Sequence, residues 1–132
     1  MSNQGYTINR TFENDSFDAI VERTRNALAD QGFGVLTEID VKATMKKKID
    51  ADMDNYLILG ACNPKLAFSA LQSEPRIGAM LPCNVIVRST PGHGVEVSAV
   101  DPVASMQAVE NSELGAVAGQ VRGMLETVVA AI

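Results

Sequence analysis

Tyr56-Leu57-Ile58-Leu59-Gly60-Ala61-Cys62-Asn63-Pro64, with Leu81-Pro82-Cys83-Asn84-Val85 downstream, is the stretch whose reading decides the fold. Tyr56 to Cys62 is a nearly continuous apolar run, the pattern of a strand in a central position covered on both faces. Asn63-Pro64 then starts a helix. Asn accepts from the free N–H groups of a first turn, and Pro at the first helical position lacks only an N–H that would be unpaired there. Leu66, Ala67, Ala70 and Leu71 form its inner stripe. It stops by Glu74, because Pro75 disfavours helical geometry in the residue before it. Arg76 to Met80 links this helix to a strand from Leu81 to Ser89, and Pro82 belongs at that strand's start because it has no N–H for a ladder.

Upstream, Tyr6 to Phe12 alternates apolar and polar side chains as a half-buried strand does. Asn14-Asp15-Ser16 offers N-caps for a helix whose buried stripe is Phe17, Ile20, Val21, Thr24 and Leu28. Gly32 stands where the helix end needs a left-handed residue. Phe33, Val35, Thr37 and Ile39 alternate with Gly34, Leu36, Glu38 and Asp40 as a second strand. Asp40 caps a short helix in which Val41, Met45 and Ile49 stack, with Lys42, Lys46, Lys47 and Lys48 on its outer side. That lysine run reads as a solvated face, with an anion-binding lip as the sharper alternative. Asp50, Asp52 and Asp54 alternate in the next loop, but the glycine turn and terminal glutamate of a calcium loop are missing.

Downstream, Thr90-Pro91-Gly92-His93-Gly94 is a turn by its Pro-Gly chemistry, and Val95, Val97 and Ala99 continue as a hairpinned strand. Asp101-Pro102 breaks that strand, and a helical turn or two follows between Val103 and Val109. Leu114, Val117, Ala118, Val121, Leu125, Val128, Val129 and Ile132 share one helical stripe. Gly115, Gly119 and Gly123 form another. Each glycine costs about 1 kcal/mol relative to alanine in a helix, which close approach of another backbone would offset. An element of the same subunit is the favoured neighbour, and a symmetry-related helix is the alternative. The order is β-α-β-α-β-α-β-β-α.

The 132 residues suffice for one domain with its own core, and the apolar (46%) and charged (20%) fractions are ordinary for a globular protein. A net charge of −5 disfavours nucleic acid, whose phosphates require a basic footprint. Met1-Ser2-Asn3-Gln4-Gly5 is polar, and no apolar run approaches the ~20 residues of a membrane helix. With only 2 cysteines, the expectation is a cytoplasmic protein with reduced thiols and no membrane partner.

Several of these segments together resemble the DUF302 family, which has a TT1751-like fold. The resemblance rests on Leu59 to Ala67, Pro75, Ile77-Gly78, Leu81 to Val85 and Asp101-Pro102, with Gly32 to Asp40 and the lysine-rich segment ending at Lys48 also similar. It spans nearly the whole chain, and the paired Cys-Asn motifs are its most specific part. It implies an α+β domain, with a mostly antiparallel curved sheet of about five strands and helices packed on one side, often assembled as a homodimer. It brings no activity with it.

The chemistry is left to the two Cys-Asn motifs. If the strands ending at Cys62 and beginning at Cys83 are antiparallel neighbours, the thiols approach one another. Four readings remain open: inert core thiols, a small-ligand pocket, a soft-metal or haem site, and a redox or sulfur-transfer thiol at Cys62, just before a helix start. The ligand site would comprise Cys62, Asn63, Cys83 and Asn84, with Lys48 added on the resemblance alone. Asn84 is the sharpest of these, because a strand interior disfavours asparagine and a buried one needs partners. The metal site would join Cys62 and Cys83 to Met80 or His93, donors that suit Cu(I), zinc or iron. No cofactor is specified. The lone His93 lies in a turn, and neither a nucleophile elbow nor a phosphate-binding glycine loop is present. A binding or accessory protein is therefore expected rather than an enzyme, with a homodimer lacking any small-molecule site as a further alternative.

Overall fold

Along the strand Cys83–Thr90, Cys83, Val85 and Val87 are buried while Asn84, Ile86 and Arg88 are not, and this alternation sets the layering of the molecule. The computed structural model describes residues 1–132, leaving aside the side chains of Asn3 and Gln4. The elements are β1 (Ser2–Gln4), β2 (Thr7–Phe12), α1 (Phe17–Asp30), β3 (Gly34–Asp40), α2 (Val41–Ile49), β4 (Tyr56–Cys62), α3 (Pro64–Ser73), a 3-10 helix (Pro75–Met80), β5 (Cys83–Thr90), β6 (Gly94–Val100), α4 (Pro102–Ser105) and α5 (Ser112–Ala131). The expected α+β domain is present. Its sheet runs β1-β2-β6-β5-β4-β3 with every neighbouring pair antiparallel, the short β1 and the lone β3 forming the edges.

One face of this sheet carries Ile8, Leu57, Leu59, Val85, Val87, Val97 and Ala99. They pack in one cluster with Ile20 and Leu28 of α1 and Leu125, Val128 and Val129 of α5. Removing such side chains from water contributes about 1.5–3 kcal/mol each. The caps read from the sequence are in place: Ser16 accepts from Ala19 N at 3.2 Å, and Gly32 adopts φ +80°. Arg10 of β2 reaches the other end of the chain. Its guanidinium donates to the main-chain oxygens of Val129, Ala130 and Ile132 at 2.8–3.1 Å, closing the C-terminal end of α5, which has no basic residue in its last turn.

Four expectations need correction. First, β4 is not covered on both faces: it lies one place from the sheet edge, and Tyr56 and Ile58 are half-buried on the side away from the helices. Its apolar run is continuous because Gly60 interrupts the polar alternation, where a Cβ would collide with Thr37 Oγ1 and Pro82 Cγ. Second, β3 does not alternate cleanly. A bulge between Val35 and Thr37 puts Val35 towards the core but pairs Thr37 with Gly60 on the opposite face, and Leu36 is left exposed.

Third, the stripe expected on α2 is not buried: Met45 and Ile49 are exposed, and the helix has no buried residue. Packing against the edge region of β3 and β4 leaves it little cover. Its Lys46 is held in the charged form, its pKa raised by Asp50 and Asp52 at 2.9 and 3.1 Å. Fourth, no element packs closely on Gly115, Gly119 or Gly123, although Gly115 borders a hollow beside the α4 segment. A Cβ at any of them would meet nothing within 4 Å.

Candidate functional site

Tight hydrogen-bonded pairing brings the two Cys-Asn motifs together. Ala61 is paired with Cys83, and Gly60 with Asn84, so the end of β4 lies beside the start of β5. Beyond β4, the Asn63 side chain accepts from Leu66 N at 3.3 Å and caps α3. The chain then passes through α3 and the 3-10 helix and returns at Pro82. Ala70, Ile77 and Leu114 form a second, smaller apolar cluster, joined by the half-buried Leu81, Met106 and Val109.

A cavity of about 40 Å³ lies where the two clusters meet. Phe33, Ala61, Cys83 and Val121 supply its wall from the main core, and Ala70, Leu81, Met106 and Leu114 its wall from the smaller one. Cys62 and Asn63 complete the side at the strand end. None of the lining residues carries a charge. The volume matches two or three waters, but the lining offers hardly any polar partners, so the cavity suits apolar atoms.

Of the residues picked out from the sequence, Cys62, Asn63 and Cys83 meet at this cavity. The others do not. Asn84 is exposed, on the sheet face opposite the helices, so the burial that made it the sharpest candidate is absent. Lys48 is exposed on α2, and Met80 is exposed at the end of the 3-10 helix. His93 sits in the β5–β6 turn, at the end of β5 remote from Cys83. The metal set of Cys62, Cys83, Met80 and His93 is therefore not gathered, and among the described residues no three His, Cys, Asp or Glu side chains form a metal-binding group.

Both cysteines are free. Burial, with a smaller contribution from neighbouring Cys62, pushes the Cys83 thiol up from 9.0 to about 11. That direction opposes thiolate formation and so disfavours Cys83 as a nucleophile at neutral pH.

Asp101 and Met106, which had no functional role in the sequence reading, both matter to this region. The Asp101 carboxylate accepts from Val103 N and Ala104 N at 2.9 and 3.3 Å, capping α4, and lies 3.3 Å from Arg122 Nε on α5. The Asp-Pro signal was visible, but its ion-pair partner lies 21 residues away in sequence. Met106 reaches the cavity from the segment after α4.

An antiparallel sheet with helices on one face, and an uncharged cavity at its Cys-Asn strand ends, define an α+β protein of a distinct type. The chain matches the model of the family described as "Domain of unknown function DUF302" over residues 8–132, and it belongs to that family. Among solved structures it is similar to the crystal structure of an uncharacterized conserved DUF302 protein from Bacillus stearothermophilus. The TM-score is 0.87 at 22% identity, over 96% of this chain and 97% of that one, a likeness of fold. No curated protein matches. No helix is long and apolar enough to cross a membrane among the described residues.

Proposed function

We propose that the protein binds a small neutral ligand at the two Cys-Asn motifs, with Cys62, Asn63 and Cys83 on the wall of the site. The observation that carries this reading is the cavity itself: it lies at the seam of two apolar clusters, and no charged group faces it. Neutral apolar atoms gain there by leaving water, whereas an ion would lose its hydration without a counter-charge. The reading includes a cytoplasmic location, where unpaired thiols such as these stay reduced.

Native mass spectrometry of protein purified from its own host tests the proposal, because it reports subunit count and retained small molecules together. A retained neutral adduct that disappears in Ala67→Leu is expected, since Ala67 is half-buried on α3 and its enlargement fills the cavity. An adduct that survives this change, or none in the native protein together with no saturable binding of small alcohols by calorimetry, refutes the reading. Thiol redox chemistry is the weaker alternative, since burial holds Cys83 protonated.

A homodimer is the second reading, and the empty space over Gly115, Gly119 and Gly123 favours it. Three exposed helical glycines with no close contact within the chain keep a cost of about 1 kcal/mol each, which backbone contact with a second α5 would offset. Gly119→Ala separates the cases by sign. In a dimer packed along this stripe, the variant shifts sedimentation towards monomer and lowers the melting temperature. In a free helix it raises the melting temperature by about 3 °C, the effect of about 1 kcal/mol in a chain of this size.

A further inference from the structure

The cavity beside Cys62 and Cys83 is too small to hold more than the end of a ligand, since small-molecule sites usually enclose about 300–1,000 Å³. A second hollow of about 240 Å³ lies next to it, between the α4 segment and α5. The two share three lining residues, Met106, Leu114 and Ala118. Together they come to roughly 300 Å³, the lower end of the ligand-site range. The second hollow is also uncharged, its polar side chains being Gln107 and Asn111.

We infer that the two hollows are one binding channel, and that its ligand is a neutral, chain-shaped apolar molecule. One end lies beside Cys62 and Cys83, and the chain passes Met106 and runs under the α4 segment. This rests on the reading of the cavity as a ligand site and adds the shape and class of the ligand.

The segment over the channel is built as a strap. At one end Asp101 caps α4 and faces Arg122 of α5. At the other, Asn111 Oδ1 accepts from Glu113 N and Leu114 N, and its Nδ2 donates to Ser73 Oγ at 3.1 Å and Ser73 O at 3.3 Å. Polar contacts thus pin both ends, while the middle rests on apolar side chains. The wall there includes Met106, an unbranched thioether that changes shape at little cost. Swinging it aside joins the hollows without breaking either anchor.

Chain length makes the test. In calorimetric titrations with straight-chain primary alcohols from butanol to decanol, affinity is expected to rise about fourfold per added CH₂, the equivalent of about 0.8 kcal/mol, until the channel is full. Val103→Glu places a charge in the second hollow at an exposed position that does not touch the first. The variant is expected to bind butanol as the wild type does and to lose the gain from longer chains, by at least 100-fold at decanol.

Saturable butanol binding with no gain for longer alcohols would overturn the channel and leave the small cavity as the site. A length-dependent gain unaltered in Val103→Glu would overturn the route under α4. Absence of binding by every alcohol would remove both the channel and the ligand reading beneath it. Far-ultraviolet circular dichroism confirms that the variant is folded before it is titrated.

Discussion

Asp101→Ala is expected to lower the free energy of unfolding by about 3 kcal/mol, measured as a fall in the urea midpoint at unchanged slope. Two losses combine. The carboxylate caps α4 through Val103 N and Ala104 N, and such a cap contributes about 1 kcal/mol. It also faces Arg122 Nε at 3.3 Å. That nitrogen is buried and its N–H is not well enough aligned for a hydrogen bond, so the attraction is Coulombic. Removing the carboxylate leaves the nitrogen with only the more distant and more exposed Glu126 carboxylate, at 3.7 Å. The usual cost of breaking a buried pair, about 3–5 kcal/mol, is reduced here because the Arg122 side chain is 38% exposed and water screens part of its charge.

Asp101→Asn keeps the capping oxygen and should lose only the ionic part, about 1–2 kcal/mol. Adding Arg122→Met to Asp101→Ala should recover part of the loss, a coupling that a double-mutant cycle reads directly. A loss below about 1 kcal/mol in Asp101→Ala would show that the tether between α4 and α5 contributes little beyond the cap.

The second large effect depends on pH. Cys83 holds its proton more tightly in the folded chain, its pKa pushed up from 9.0 to about 11. Well below pH 9 the thiol is protonated whether the chain is folded or not, and it makes no difference to stability. Between 9 and 11 the unfolded chain releases the proton and the folded chain retains it. The unfolded state therefore binds fewer protons, and stability falls as pH rises. The loss levels off above pH 11 at about 3 kcal/mol, from about 1.4 kcal/mol per tenfold change in proton affinity. Tyrosines and lysines titrate over the same range, so the informative quantity is the difference between the wild type and Cys83→Ala. The variant should lack this part of the alkaline loss. Parallel curves from pH 8 to 11 would contradict the burial assigned to this thiol.

Much of the fold follows from signals confined to a few residues. The Asn63-Pro64 start, the Ser16 cap and the stripe from Leu114 to Ile132 each state an element and its buried side locally. Antiparallel pairing of β4 and β5 gives the juxtaposition of Cys62 and Cys83 that the paired motifs left open. Position in the sheet was harder to read. Tyr56 to Cys62 looks central because Ile58 and Gly60 are apolar, yet Ile58 stands on the open face and Gly60 is fixed by contact with Thr37 and Pro82.

The bulge in β3 depends on its partner strand and leaves no mark in β3's own alternation. The cavity was illegible for the same kind of reason. Phe33, Leu66 and Val121 each read as an ordinary core residue, and only their assembly with Pro82 and Met106 leaves a gap between two clusters. Asn84 drew attention by being unusual in a strand, which exposure on the open face accounts for. Met106, unremarked in the sequence, lines the cavity.

The contact between Arg10 and the end of α5 bears on how the chain comes into being. Strands β2 to β6 are all made before residues 112–131 leave the ribosome, yet their shared apolar face needs Leu125, Val128 and Val129 for cover. Arg10 waits for oxygens some 120 residues later in the chain. Contacts so distant in sequence slow folding and leave incomplete chains with exposed apolar surface. Until residues 112–131 dock, α1 alone covers the apolar face of the sheet, through Ile20 and Leu28.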